Sequence, residues 1–517
     1  MPIKVVVRKG SYFDSVSLMS LSTKANQLEG ITQAVVAMGT EMNKGVLRNV
    51  GLFVPEIDRA GSGDLLIVVA APTEARCDTA VIEIEALFEQ RQSKARGAGD
   101  ARYATLESAV RHVPQANLVI ISVPGEHAAR EARKAIESDL HVMLFSDNMS
   151  IDDEISLKQV AHANGLLVMG PDCGTAILGG IGLCFANKVR RGDVGIVAAS
   201  GTGSQEVSVR VHGLGGGISQ LIGTGGRDLS EKVGGVMMID AMRALGADPA
   251  TAVIVLVSKP PAKSVERKVL AEIEACRKPV VVCFLGGSQD AVIQAGGHFA
   301  RTTSEAALKA MQLSGKHEEV APQEPLDAAL IETVRGGLGS GQKFIRGLLC
   351  GGTICDELML IAREKYANVY SNIAKDPEHR LQDINQSREH TFIDFGDDEF
   401  TRGRPHPMID PSLRIERLLR EAADPSVGVI VMDFILGFGA HEDPVGVTLA
   451  AILQARQIAA EGGRHLEILA YVLGTGEDRP PRHEQIGKLV AAGVRIADSC
   501  THAGLLARSF VAKEARS

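Results

Sequence analysis

Residues 194–235 read VGIVAASGTGSQEVSVRVHGLGGGISQLIGTGGRDLSEKVGG, one pattern written twice. Each time an apolar run of strand length enters a glycine-rich turn and then a helix start. The turns are Ser200-Gly201-Thr202-Gly203-Ser204 and Gly223-Thr224-Gly225-Gly226-Arg227-Asp228. A helix N-terminus leaves backbone N–H groups unpaired, and its dipole places positive charge there, so each turn is a candidate anion site, most often for phosphate. Glycine also serves tight turns that bind nothing; two such turns in succession favour the anion reading. Ser200, Gly201, Thr202, Gly203, Ser204, Gly225, Gly226 and Arg227 are therefore the candidate phosphate- or anion-binding residues, Arg227 as a guanidinium contact. Asp228 and Glu231 read as helix caps.

Strands and helices alternate on both sides of this stretch, which predicts parallel sheets with helical crossovers. Upstream, Ser150 and Asp153 form a capping box for a helix. The strand after it, LLVMG, ends in Gly170-Pro171-Asp172-Cys173-Gly174-Thr175. Open α/β sheets collect ligands beyond the carboxyl ends of their strands, so Pro171, Asp172, Cys173, Gly174 and Thr175 are substrate-loop candidates, with a ligand-free turn the alternative. Downstream, TAVIVLVSKPP and KPVVVCFLGG continue as buried strands, and the polar, glycine-rich residues 314–341 mark a linker. A third unit follows with more glycine loops after its strands, at Cys350–Thr353, Gly437–Gly439 and Gly474–Gly476; Gly437 and Gly439 join the substrate-loop candidates. The fold class expected is α/β, with several doubly wound, Rossmann- or flavodoxin-like domains. They are an N-terminal Rossmann-like domain at 1–190, a second at 191–325, a linker at 326–341 and a third at 342–517.

Composition agrees with that class. The 517 residues are 45% hydrophobic and 23% charged, a globular balance with ample core for about three domains. There is no Trp, with only five Tyr and 14 Phe, which excludes the stacking platforms of a single-strand nucleic-acid binder. A net charge of −8 offers no general field for nucleic acid or anionic membrane. The eight cysteines are scattered without a CxxC pair, and read as reduced thiols of a cytoplasmic protein. MPIKVVVRKG is too short and charged for a signal peptide, and no apolar run is long enough to span a membrane.

The most chemically crowded piece of the third unit is FIDFGDDEFTRGRPHPMIDPSLR, residues 392–414. Asp394, Asp397 and Asp398 stand at a strand end, where they can hold a divalent cation such as Mg2+ or position a substrate N–H. Arg404 can clamp a carboxylate or phosphate, and His406 lies between two prolines; these two are the candidate catalytic residues, with a solvated, ion-paired loop the alternative. No HxH, HExxH or CxxC spacing marks a dedicated transition-metal site.

Taken together, GPDCG, GIVAASGTGSQE and GTGGRDLSEKVGG resemble the α-subunit of succinyl-CoA synthetase and related nucleotide-forming acyl-CoA ligases. FIDFGDD through to the C-terminus resembles the ligase domain of the β-subunit. The resemblance makes 1–190 a CoA-binding-like domain, 191–325 an α-like ligase domain and 342–517 a β-like one. More closely, the whole chain resembles the FdrA family, through KGSYFDSVSLM, LLVMGPDCGT, ASGTGSQE, GTGGRDLSEKVGG, VSKPPA, DFGDDEFTRGRPHPMIDPSLR and GFGAHEDP. Two departures from the ligases stand out. Where they carry a CoA-holding GxTGxxG turn, the equivalent turn here is Gly10-Ser-Tyr-Phe-Asp14, without the repeated glycines, and their phosphorylatable histidine, in a G-H-A-G loop after the strand matching VVVCFLGG, has no counterpart. The nearest histidine, His298 in Gly297-His-Phe-Ala, does not match. The FdrA resemblance implies a subunit of an oxamate carbamoyltransferase, which interconverts oxalurate plus phosphate and oxamate plus carbamoyl phosphate in allantoin (purine) catabolism. It also implies companion subunits, a homo- or hetero-oligomer, and small anions (phosphate, carbamoyl phosphate, oxamate) as ligands, with no cofactor fixed. An NDP-forming acyl-CoA synthetase and a non-catalytic anion-binding scaffold are the alternatives.

Overall fold

The computed structural model describes residues 2–11, 13, 15–26, 28–49, 51–96, 101–315, 326–401 and 404–511. They fall into two compact units, one of residues 1–116 with 398–410, the other of residues 117–397 with 411–517.

The first unit is built on strands β1 (Ile3–Arg8), β2 (Gln33–Met38) and β3 (Leu65–Ala70), in the order β1-β3-β2. Both pairings are antiparallel. The helix Ser15–Asn26 joins β1 to β2, and β3 returns between them, giving a split β-α-β. All six residues of β3 are buried because both its faces are covered. Leu65, Ile67 and Val69 pack with Leu18, Ile84 and Phe88, while Leu66, Val68 and Ala70 pack with Leu47, Leu52 and Ile57. The expected parallel, Rossmann-like domain over 1–190 is therefore corrected. A central strand buried on both faces reads as a continuous apolar run in either direction, so the run DLLIVVA carries no sign of its antiparallel pairing.

The second unit holds three sheets. A small parallel sheet runs β4 (Leu118–Ile121), β5 (His141–Leu144), β6 (Val168–Met169). The next seven strands are β7 (Thr175–Leu178), β8 (Ile181–Cys184), β9 (Arg191–Ala198), β10 (Ile218–Gly223), β11 (Val253–Ser258), β12 (Val280–Phe284) and β13 (His298–Phe299). They lie in the order β13-β12-β11-β9-β10-β7-β8, parallel from β13 to β10 and antiparallel at β7 and β8. Strands ahead of residue 191 thus belong to the second sheet, and the expected boundary at 190 divides it. The last sheet contains β14 (Phe344–Leu349), β15 (Val369–Ser371), β16 (His390–Asp394), β17 (Val427–Ile435), β18 (Glu467–Leu473) and β19 (Arg495–Ala497). Its order is β15-β16-β14-β17-β18-β19, all parallel.

In both large sheets the first parallel strand is central. From β9 the chain moves to β10 on one side and later to β11 on the other; β14 is flanked in the same way by β16 and β17. These reversals are the topological switch points at which doubly wound sheets open a crevice. Alternation along the strands supplies each face: Val253, Val255 and Val257 of β11 join one core, and Ile254 and Leu256 the other. Between the sheets, the expected linker 326–341 contains the helix Ala328–Gly337, capped by the Asp327 carboxylate, which accepts from the N–H groups of Ala329 and Leu330. Its buried Ile331 and Val334 explain why the stretch is ordered despite its glycines.

The capping box appears as read: the Ser150 hydroxyl accepts from the Asp153 N–H at 3.1 Å and opens the helix Ile151–Ala163. One turn on, that helix delivers Lys158, only 1% exposed, to Glu154 (2.8 Å), to the Thr224 carbonyl (2.8 Å) and to Asp228 (2.9 Å). Removing the cation takes from both buried carboxylates the one charge they share, leaving Glu154 to Arg227 and Asp228 to backbone N–H groups. Lys158→Met should therefore cost about 3–5 kcal/mol, seen as a lower midpoint in chemical denaturation; an unchanged midpoint would mean the cluster contributes nothing to the fold.

Candidate anion site at two facing helix N-termini

The two switch-point strands each run into a helix, β9 into Gly201–Gly213 and β14 into Gly352–Arg363, and the two helix ends meet. Ser200 caps the first helix, its hydroxyl accepting from the Gly203 N–H at 3.0 Å. The same hydroxyl is hydrogen-bonded to that of Thr353. The contact is close enough to require glycine: a Cβ on Gly203 would lie 2.9 Å from the Thr353 methyl carbon and 2.7 Å from the Ser200 oxygen. In reciprocal fashion, a Cβ on Gly351 would lie 3.1 Å from the Cβ of Thr202.

Two positive dipole ends in contact repel unless negative charge is near. The Gly352 helix has two carboxylates. Asp433 accepts from the N–H groups of Cys350 (2.9 Å) and Gly351 (3.0 Å) and is ion-paired to buried Arg414 at 2.8 Å. Asp394, at the end of β16, lies so close that a Cβ on Gly352 would come within 2.6 Å of its Oδ2. The Gly201 helix has only the Ser200 hydroxyl. The N–H groups of Gly201 and Thr202 meet no acceptor among the described residues. Beside Gly201 stands Thr175, 2% exposed, whose buried hydroxyl has no hydrogen-bond partner; a Cβ on Gly201 would be 3.8 Å from it.

Burial raises the Asp394 carboxyl to about 7, although Lys259 pulls it down. Asn372 fixes its backbone, donating to the Asp394 carbonyl at 3.0 Å and accepting from its N–H at 2.9 Å. Lys259, after β11, is ion-paired to Asp356 of the facing helix at 3.0 Å. Burial alone would depress this ammonium, but Asp356 and Asp394 together hold it above its ordinary value. The ends thus offer free N–H donors, an unpartnered hydroxyl, a cation, and an acid that exchanges its proton near neutrality.

Of the residues expected at a site, the structure places Ser200, Gly201, Thr202, Gly203, Thr175 and Asp394 together. Ser204 is one turn deeper, its hydroxyl donating to the Gly201 carbonyl at 2.6 Å. The second glycine turn is corrected. No helix starts at Gly225, Gly226 or Arg227; the next helix is Val236–Ala247, and Asp228 accepts from its Met238 N–H at 2.9 Å, so the cap reading of Asp228 holds. Arg227 is engaged by Glu154 at 2.9 Å and by the Met149 carbonyl at 2.9 Å, while Gly225 (φ +84°) permits close packing on the Pro171 carbonyl. Pro171, Asp172, Cys173 and Gly174 are likewise structural. The N–H groups of Asp172 and Cys173 donate to the carbonyls of Ser146 and Leu144, the Gly174 carbonyl accepts from Phe185, and burial lifts the Cys173 thiol to about 12.

Gly437 and Gly439 pack on Phe185, where a Cβ on Gly437 would lie 2.2 Å from the Phe185 carbonyl oxygen. Arg404 and His406 belong to the first unit. There the His406 Nδ1 accepts from the Met408 N–H at 3.2 Å and burial drives the ring down to about 4. Arg402 lies outside the described residues. Among those residues no group of three His, Cys, Asp or Glu is arranged to hold a metal ion, and no helix is long and apolar enough to cross a membrane. The Gly10–Asp14 turn sits in an antiparallel unit, with Tyr12 and Asp14 outside the described residues, and so says nothing about CoA.

Sequence reasoning missed Thr353, Lys259 and Asp356. A signal was present: Ser200-Gly-Thr-Gly-Ser-Gln-Glu206 and Gly351-Gly-Thr-Ile-Cys-Asp-Glu357 carry Gly, Thr and Glu at matching positions after a parallel strand. The two glutamates are buried and cross between the sheets. Glu206 accepts from the Tyr471 hydroxyl and the Cys500 N–H (3.2 Å), and Glu357 from the Thr303 N–H (3.0 Å) and the Thr501 hydroxyl (2.6 Å). Burial raises Glu206 to about 7 against the pull of the Tyr471 bond. Between its ordinary 4.5 and about 7 the folded state binds the extra proton, so this residue's contribution to stability falls as pH rises through that window. Glu206→Gln should remove the fall: the gap between wild-type and variant melting temperatures should shift in the variant's favour across that window, as followed by calorimetry. A constant gap would count against the raised acid.

Three family models match the chain: "AllF, heavy metal-associated domain" over residues 1–104, "CoA binding domain" over 189–286 and "CoA-ligase" over 348–510. The uncharacterized protein YahF of Escherichia coli (strain K12) is 59% identical over 513 residues, 99% of each chain. Succinate–CoA ligase [ADP-forming] subunit alpha 2 of Archaeoglobus fulgidus is 28% identical over 236 residues, 43% of this chain and 78% of that one. Among solved structures, the dinucleotide-forming acetyl-coenzyme A synthetase 1 of Ca. Korarchaeum cryptofilum, in complex with phosphate and ADP, aligns with a TM-score of 0.36 and 15% identity, over 80% of this chain and 85% of that one. With near-complete coverage by YahF, and with CoA-binding and CoA-ligase domains on the two sheets whose helices meet, the chain belongs to the YahF family, within the succinate–CoA-ligase-like superfamily.

Proposed function

We propose that this protein holds phosphate, or a phosphate-type anion such as carbamoyl phosphate, at the two facing helix ends and transfers a carbamoyl group between it and oxamate, as one subunit of an oxamate carbamoyltransferase. The observation that carries this reading is the unpartnered Thr175 hydroxyl beside the free N–H groups of Gly201 and Thr202. Three donors lie close together there at a positive dipole end, the chemistry of a phosphate cradle. After β12 the chain turns at once through Leu285-Gly286-Gly287 into the helix Gln289–Gln294, and that turn contains no histidine. Direct transfer then replaces a phosphohistidine relay. A phosphate oxygen attacks the carbamoyl carbon of oxalurate, the carbon–nitrogen bond to oxamate breaks, and the departing nitrogen takes a proton. On this reading Asp394, raised to about 7, gives that proton, and the N–H groups stabilise the oxyanion formed on the way. No step passes through CoA or a metal ion.

A second reading, an NDP-forming acyl-CoA ligase, is favoured by the CoA-binding and CoA-ligase matches. The two are separated by mixing the protein with its companion subunits, oxalurate and phosphate, and assaying carbamoyl phosphate. Thr175→Val keeps the side-chain shape and should weaken phosphate binding about tenfold with an unchanged melting profile. CoA-dependent nucleotide turnover without carbamoyl phosphate would replace the first reading with the second.

A further inference from the structure

The last sheet has a second concave site, at its opposite edge. A cavity of about 320 Å³ is lined by Arg456, Arg464, His465, Glu467 and Arg495, with Gly493 at its wall. Glu467 is level with Val429, and Val429 with Ile345 at the start of β14, whereas the facing helix ends follow Leu349 at the finish of that strand. The cavity is therefore separate from the anion site and independent of the function proposed for it.

Two of its polar atoms are buried without a hydrogen-bond partner, and they are of opposite kinds. The Arg456 guanidinium donates through its Nη atoms to the carbonyls of Ala492 (2.6 Å) and Gly493 (2.7 Å), but its Nε–H has no acceptor. Glu467, 2% exposed, has its Oε2 beside His465 Nε2 at 3.2 Å, while its Oε1 has no donor at hydrogen-bond distance; Arg495 Nε is 3.7 Å away. Arg464 is turned to the carbonyls of Ala422 (2.8 Å) and Asp424 (3.1 Å), so its charge is not neutralised by a carboxylate there. Two guanidinium groups, Arg456 and Arg495, thus stand by a single carboxylate, with Arg464 in the wall of the same cavity. A buried donor and a buried acceptor left unpaired are each costly. One ligand answers both when it accepts at Arg456 and donates to Glu467, and surplus positive charge requires that it also be an anion.

We propose that this cavity binds a small organic anion bearing an amide or ureido group, its N–H donated to Glu467 and its carboxylate held on the side of Arg456 and Arg495. Its volume is within the range of small-molecule sites.

Isothermal titration of the full chain with succinamate tests this, with succinate (no N–H donor) and succinamide (no charge) as controls. Succinamate should bind saturably and more tightly than either control. Arg495→Met alters a side chain that is 44% exposed and should leave the fold intact while weakening succinamate about tenfold. Glu467→Gln should narrow the preference for succinamate over succinate, and Thr175→Val, which acts at the helix ends, should leave the succinamate affinity as it is. Absence of saturable binding would overturn the proposal, as would binding that Arg495→Met leaves untouched or that Thr175→Val abolishes. The last result would move the ligand to the helix ends.

Discussion

Two helix N-termini pressed against each other are an electrostatic problem that the second unit is organised to solve. Each end carries the equivalent of roughly half a positive charge. At the Gly352 helix the problem is met internally: Asp433 takes the Cys350 and Gly351 N–H groups, and Asp394 lies against Gly352. At the Gly201 helix no carboxylate among the described residues does the same, and Ser200 supplies a hydroxyl. The imbalance assigns a direction to the site. An incoming anion gains most at Gly201, Thr202 and Thr175, while the Asp394 side offers an acid whose charge can be switched off by one proton.

The same contact explains the buried polar seam between the two large sheets. Each helix sends one glutamate across, Glu206 to Tyr471 and Cys500 and Glu357 to Thr303, while Thr501 on its own side holds Glu357 in place. Burying such acids is unfavourable, as the rise of Glu206 to about 7 records. Apolar packing in their place would hold the sheets together with less directional demand. Hydrogen bonds from both helices in reciprocal positions fix the angle at which the ends meet. Asn187 and Asp478 add to the seam, bonded to each other at 2.9 Å, with Asn187 also reaching the Leu436 carbonyl. Gly437 and Gly439 belong to this framework: their missing side chains let the loop after β17 lie on Phe185.

Much of this was legible in the residues, and the failures have physical causes. The alternation of strand, glycine turn and helix from Val194 onward located the first helix end, because apolar periodicity and capping chemistry are local properties. Arg227 was misread because its turn looks identical in sequence to an anion loop. Only the buried partner Glu154, 73 positions away, shows that its charge is already used. The antiparallel N-terminal sheet was invisible for the related reason that pairing direction is a long-range fact. Thr353 and Lys259 were missed because a site shared by two domains has no single continuous motif; its trace is the spaced echo of Gly-Thr-x-x-x-Glu in two distant helices.

That division of the site bears on the chemistry. A relay needs a residue that carries the phosphoryl group between places, and hence a loop long enough to move. The turn after β12 is tight instead: Gly286 takes a positive φ of 75°, and Ser288 immediately caps the following helix through the Ala291 N–H. With its path closed in so few residues, this segment has no reach. On the reading proposed above, whatever is transferred is attacked where the anion rests, and both reactants share the donors of one cleft. Such a cleft favours a small, planar acyl group over a long carrier, because every ångström of substrate beyond the carbonyl competes with phosphate for the same few N–H groups. On that reading, the paired helix ends and the one acid raised by burial are the groups the reaction would use.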